Sequence, residues 1–306
     1  MKPVASGLYR DWQFARANGG ANNLVYRAAG PDGTFAVKFC VRDERDRAGR
    51  EYEALLLLQR CREQLAPKPV GLEKERYFAP VVVQTWLGGE VLLEPPASVA
   101  AWESLLAYYA ALHCVTPTHE ENSVSRALHT ATSVAAGKAL VRRQLVSLPE
   151  KAYPPGLQEL LGRFMGWNGP SWPEPRLSLC RDDPNLTNFI RTKNGLRSVD
   201  WENSGWGDPA FEIADLLAHP AYGPVSAETV AQVAEHYADL SANRAAPARI
   251  VPYFRIVLVY WAVRFARTLY EVPRGLDERL VARPKPCRED VTRKFRTYLE
   301  LASAQF

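Results

Sequence analysis

Short apolar runs bounded by turn residues dominate the start of the chain, and apolar residues at helical spacing dominate the remainder. The runs Leu24–Ala28 and Phe35–Phe39 flank a Gly30-Pro31-Asp32-Gly33 turn and read as paired strands. Asp43–Arg60 is charged at first and turns apolar at Ala54–Leu58 with helical periodicity. Tyr77–Trp86 is a strand-rich apolar run that ends in Leu87-Gly88-Gly89-Glu90. Beyond it, Ser98–His113, Ser123–Leu148, Ser226–Ser241, Arg249–Glu271 and Arg288–Ala304 carry helical spacing, with Pro/Gly-rich linkers at Ala152–Gly156 and Gly166–Pro175. One strand-rich segment interrupts the helices: Leu177–Leu179, Phe189–Arg191 and Leu196–Val199, the last two joined by a Lys193-Asn194-Gly195 hairpin turn. The pattern predicts an α+β chain with strands first and helices after.

That interruption carries the chemistry. Asp183 and Asn188 flank a tight polar loop, and Asp200 ends the neighbouring strand. Three oxygen-bearing side chains can thereby reach one cleft. Phosphoryl transfer needs such a set: a carboxylate to orient or deprotonate a hydroxyl, and an amide and a second carboxylate to hold magnesium. Asp and Asn also favour turns on their own account, which is the ordinary alternative.

The segment resembles the aminoglycoside phosphotransferase/choline kinase family, a branch of the protein-kinase-like fold. Asp183-Pro184-Asn185-Leu186-Thr187-Asn188 matches the D-x-x-x-x-N part of that family's H-x-D-x-x-x-x-N loop. Val199-Asp200-Trp201-Glu202 matches its I-D-W/F-E element. Gly207-Asp208-Pro209, with Asp215-Leu216, is taken for G-D-P-x-x-D-L-A. The histidine position holds Arg181. Cys180-Arg181-Asp182 imitates a protein-kinase H-R-D, but Asp182 would place Thr187 at the asparagine position, so spacing selects Asp183. The resemblance implies a bilobal fold, with 1–87 as nucleotide-binding lobe and 88–306 as helical catalytic and acceptor lobe. It implies ATP and Mg2+ as cofactors, Asp183 as catalytic residue, and Asn188 and Asp200 as metal ligands. Structural roles bracing the metal loop fall to Asp208 and Asp215. Arg181 either supports the loop in the histidine's place by bonding a backbone carbonyl or alters the loop's conformation and lowers the rate.

A kinase-like lobe also needs a lysine on a strand and a helical glutamate. Lys38 lies within Phe35–Phe39, and Glu51-Tyr52-Glu53-Ala54-Leu55 resembles the family's E-x-x-x-L, favouring Glu51 over Glu53. An exposed helix face with ion pairs is the bland alternative. The Asn18–Asn23 stretch with Gly20 precedes the lysine strand and reads as a loop covering the phosphates, although Gly-Asn clusters are mostly plain turns. The hinge falls at Gln84–Trp86, where backbone groups would present adenine with a donor and an acceptor.

Composition narrows the function. A chain of 306 residues has ample core, and its net charge of +4 is scattered, without the basic stripe that nucleic acid demands. Five cysteines, far apart and without a C-x-x-C pair, favour reduced thiols in a cytoplasmic protein. No signal-like apolar segment opens the sequence, and the longest apolar run, Ile256–Val263, is too short for a bilayer, so no membrane association is expected. His113, closing an apolar helix, reads as a packed core residue. Tyr260, Trp261, Arg264, Phe265 and Thr268, with Trp201 and Trp206, are either core or an acceptor wall. Basic residues outnumber acidic ones after Leu216, which tilts against polycationic drugs and towards a metabolite hydroxyl on a sugar, amino alcohol or nucleoside-like compound. A small-molecule kinase is the expectation. A nucleotide-binding pseudokinase acting through a partner is the alternative; a protein kinase is disfavoured because no A-P-E segment follows Asp200. The sequence leaves oligomeric state and ATP-versus-GTP preference open.

Overall fold

The computed structural model describes residues 6–17, 22–117, 124–276 and 287–306. A six-stranded antiparallel sheet opens the fold: β1 (Ser6–Tyr9), β2 (Trp12–Arg16), β3 (Leu24–Gly30), β4 (Gly33–Phe39), β5 (Pro69–Glu73) and β6 (Val81–Thr85), in the order β1-β2-β3-β4-β6-β5. The β-branched run Val81-Val82-Val83 suits the pleated centre of such a sheet. Helix α1 (Arg47–Arg60) connects β4 to β5. Its Ala48 packs with Cys40 and Val82 beneath the sheet, while Ala54, Leu55, Leu57 and Leu58 join the main core. Glu51 sits between these two apolar groups, fully buried.

Two small sheets come next along the chain. β7 (Glu90–Val91) pairs with β9 (Phe189–Thr192), which pairs with β10 (Gly195–Ser198); β8 (Ser178–Cys180) pairs with β11 (Gly205–Gly207). Gly89 makes the first pairing possible: its φ is +151°, and a Cβ there would stand 2.4 Å from the Arg191 carbonyl oxygen. The helices are α2 (Glu103–Leu112), α3 (Val134–Leu145), α4 (Leu157–Gly166), α5 (Pro209–Ala218), α6 (Ala227–Leu240), α7 (Pro247–Glu271) and α8 (Arg288–Ser303). α7, apolar on most of its circumference, packs against α3, α5, α6 and α8. Among the described residues no helix is long and apolar enough to cross a membrane.

Three expectations change. Strands β1, β2, β5, β7 and β11 add to those the sequence pattern predicts. The helix expected over 98–113 begins as a 3-10 turn at Val99–Trp102 before α2. The helix expected over 123–148 is shorter, because Ser125–Ala127 runs beside β11: Trp206 N–H donates to Ser125 O (2.9 Å) and Ala127 N–H to Trp206 O (3.1 Å). Gly205 allows that approach, since a Cβ would meet Ser125 O at 2.4 Å. The Ser133 hydroxyl then caps α3 through Ala136 N–H.

Candidate active site

The site is assembled where the six-stranded sheet faces the β9–β10 hairpin. Val25, Lys38 and Val82 are neighbours across β3, β4 and β6, and Gln84 pairs with Ala36, so Ala36, Lys38 and Gln84 share one sheet face. That face borders a cavity of about 730 Å³ whose other walls include Trp86, Asn188 and Asp200.

Lys38 is buried, and its ammonium bonds the Glu51 carboxylate at 2.5 Å and the Asp200 carboxylate; a Glu202 oxygen lies 3.8 Å away. Burial alone would push the ammonium down, but Asp200, Glu51 and Glu202 together hold it well above the ordinary lysine value. Burial raises Glu51, with Lys38 opposing. Burial also works to raise Asp200, but there the Lys38 ammonium prevails and keeps the carboxyl low. Glu53, half-buried, takes no part in this cluster. Asp200 has a φ of 66°, a left-handed conformation that Asp tolerates better than most residues.

Glu202 is a site residue that sequence reasoning passed over. It is buried and accepts from Arg47 of α1 (2.5 Å) and from the Asn23 amide, whose oxygen in turn accepts from Val41 N–H (3.1 Å). Two residues after Asp200, it ties the sheet and α1 to the Asp200 segment.

In the loop after β8, Asp183 accepts from Asn185 N–H and from the Asn188 side-chain amide, both at 3.1 Å. Burial raises its carboxyl to about 6, with Arg181 pulling it down and Asp200 pushing it up. Asp182 is turned elsewhere: it has a φ of 58°, accepts from His129 N–H (2.7 Å) and lies 3.1 Å from His129 Nδ1. Arg181 donates to the Val199 carbonyl at 3.1 Å.

The loop brace is Glu212. One of its oxygens accepts the N–H groups of Arg181 and Asp182, both at 2.8 Å, and the other meets His113 Nε2 at 2.8 Å. His113 Nδ1 lies 2.7 Å from the Tyr237 hydroxyl, so this histidine is a hydrogen-bonded core residue. The structure thus corrects the bracing roles given to Asp208 and Asp215. Asp208 caps α5 and pairs with Arg249 and Tyr253. Asp215 accepts from Trp261 Nε1 at 3.3 Å and is driven well above the usual carboxylate range by burial and by Asp182 and Asp183. The G-D-P-x-x-D spacing itself falls on Glu212, and reading it strictly finds the brace.

At the hinge, Thr85 N–H is taken by Lys68 O and Trp86 N–H by Thr34 O, both at 2.9 Å, so these two cannot donate to a base. The Gln84 side-chain oxygen is buried without a partner. Gly20 lies outside the described residues. Trp201 and Trp206 are buried in the core, which removes them from an acceptor wall. Trp261 packs edge-on against His219 at 4.9 Å, beside Asp215.

The sequence profile of the phosphotransferase enzyme family matches residues 13–250. No curated protein sequence matches the chain. Among solved structures, a choline/ethanolamine kinase family protein from Mesorhizobium loti is 18% identical, with a TM-score of 0.61 and coverage of 95% of this chain and 87% of that one. A macrolide 2'-phosphotransferase from Brachybacterium faecium is 17% identical, with a TM-score of 0.60 over 92% and 91%. A spectinomycin phosphotransferase, solved with ADP and spectinomycin, is 10% identical, with a TM-score of 0.64 over 95% and 92%. These likenesses carry the protein-kinase-like fold, and the profile, spanning most of the sequence, carries the family: the chain belongs to the phosphotransferase enzyme family.

Proposed function

We propose that the protein is an ATP-dependent kinase that moves the γ-phosphate to a hydroxyl of a small molecule. The observation that carries this reading is the convergence of Lys38, Asn188 and Asp200 on one cavity, with Asp183 bonded to Asn188. A nucleotide lobe over 1–87 and an acceptor lobe over 88–306 accord with a cavity lined by Lys38 and Gln84 on one side and by Asn188 and Asp200 on the other. Lys38, fixed by Glu51, contacts the α- and β-phosphates. The adenine lies against Ala36, Gln84 and Trp86 and takes its backbone donor beyond Trp86, within Leu87–Gly89.

Asn188 and Asp200 offer an amide oxygen and a carboxylate, a donor pair that suits a hard cation. They would hold Mg2+, which supplies charge neutralisation on the phosphates. Asp183 orients the acceptor hydroxyl and takes its proton late in transfer, and its value of about 6 leaves it ionised at neutral pH. Alignment and a preorganised field supply most of the acceleration.

The acceptor side is acidic. Asp182, Asp183 and Asp215 interact electrostatically, with Trp261 bonded to Asp215. A charge count taken after Leu216 misses this group because all three residues precede that point. An alcohol that also carries an amine would be drawn to Asp183 and Asp215 and would favour their ionised forms, with the Trp261 ring beside Asp215. The names of the structural neighbours, a choline/ethanolamine kinase family protein, an ethanolamine kinase and a spectinomycin phosphotransferase among them, are consistent with such an acceptor. The buried thiols Cys40 and Cys180 suit a reducing, cytoplasmic setting.

ATP consumption against pooled alcohols, with and without magnesium, tests the reading. Amino alcohols and aminoglycosides are expected to stimulate turnover and neutral sugars to do so weakly. Stimulation by neutral sugars alone would refute the acceptor class. Nucleotide binding with no turnover on any pool would favour the pseudokinase.

A further inference from the structure

Arg181 is completely buried at the position where the family pattern has histidine. Its guanidinium carbon stands 4.6 Å from the Phe189 ring centroid and 5.9 Å from that of Trp201. One nitrogen, Nη2, donates to the Val199 carbonyl at 3.1 Å, whereas Nε and Nη1 have no hydrogen-bond partner. Its electrostatic neighbours include Tyr109, Tyr108, Asp183 and Glu212. Burying a guanidinium with a single hydrogen bond is expensive, and an apolar side chain of similar volume would usually fill such a place at lower cost. Cation–π contact with two rings offsets part of that penalty. Packing alone does not explain this residue.

The partner of Arg181 does. Val199 immediately precedes Asp200, and its own N–H donates to the Asn188 carbonyl at 2.9 Å. At its other end the Arg181 backbone N–H is fixed by Glu212, and the chain reaches Asp183 two residues on. A single side chain therefore closes a ring through Asp183, Asn188, Val199 and Asp200. We propose that Arg181 is a positioning residue that locks the Asp183 loop to the Asp200 strand, so that base and metal ligands keep one fixed spacing. Phosphoryl transfer depends on that spacing, and a displacement of about 1 Å can cost on the order of 10²-fold in rate. Arg181 does not line the cavity that would take the nucleotide. The effect falls on kcat.

The proposal rests on Asp183 as base and Asp200 as metal ligand, so the experiment separates the two claims. Arg181→Met, Arg181→Lys and Asp183→Asn are assayed together with an accepted alcohol, and nucleotide affinity is measured by calorimetry. Arg181→Met is expected to lose about 10–100-fold in kcat, with nucleotide KM and Kd within about threefold of the parent. Arg181→Lys, which keeps the charge and one donor for Val199, is expected to recover most of the loss. Asp183→Asn inactive with Arg181→Met at full kcat would overturn the positioning role and leave the site assignment standing. Asp183→Asn fully active would overturn the assignment, and the positioning role with it. Should Arg181→Met fail to fold, Arg181→Gln, which shortens the side chain and removes its charge, takes its place: lowered kcat at parent nucleotide affinity supports the role, parent kcat overturns it, and kcat and nucleotide affinity falling together would reduce Arg181 to scaffolding.

Discussion

Replacing Asp183 with Asn is expected to lower kcat by on the order of 10²–10⁴, the usual cost of losing a positioned base. The substitution keeps the side chain's size and its acceptance from Asn185 N–H while removing the charge that draws the acceptor proton. Nucleotide affinity and thermal midpoint should change little, because burial already works against the Asp183 charge. Asp182→Asn should be far milder. Asp182 spends its carboxylate on His129, and Asn tolerates the left-handed backbone found there. Steady-state kinetics of the two variants side by side decides between them. A near-normal Asp183→Asn enzyme together with an inactive Asp182→Asn would shift the loop assignment by one residue.

Lys38→Met is the second large effect, and it appears in two observables. The ammonium is the close partner of Glu51 and Asp200, so its removal leaves two carboxylates without their main counter-charge, while Glu202 keeps Arg47. Removing one member of a buried ionic group typically costs about 3–5 kcal/mol. For a chain of this size that lowers the thermal midpoint by about 5–10 °C. Nucleotide Kd should rise about tenfold or more, since the phosphates lose a desolvated charge partner. Differential scanning calorimetry and nucleotide titration measure the two separately. A lower midpoint with unchanged nucleotide affinity would make Lys38 a structural ion-pair residue only.

What the sequence disclosed was local. Asp183 and Asn188 lie on one loop, Asp200 just beyond the adjoining hairpin, and Glu51 within a short reach of Lys38, so spacing suffices to place them. The outer strands escape a pattern search because they lack alternation: β1 is exposed along its whole length, and β5 starts with a proline, as edge strands can. Helical spacing overextends the helix over 123–148 because the partner of Ser125–Ala127 is β11, some 80 residues away. Glu202 sits within a legible motif, yet its role is hidden, since Asn23 and Arg47 lie 179 and 155 residues from it. At the hinge, residue types say nothing about which backbone N–H groups neighbouring strands have already taken. Glu212 is the different case: its spacing from Gly207-Asp208-Pro209 is present in the sequence, and Asp215 draws the assignment only because Leu216 follows it.

The central claim is that Lys38, Asn188 and Asp200 form a site for a magnesium nucleoside triphosphate, and calorimetric titration with a non-hydrolysable ATP analogue tests it most directly. The account predicts one site per chain, affinity that falls when EDTA replaces magnesium, and binding weakened about tenfold or more in Lys38→Met. No detectable binding at millimolar nucleotide, or binding indifferent to both magnesium and Lys38, would contradict it.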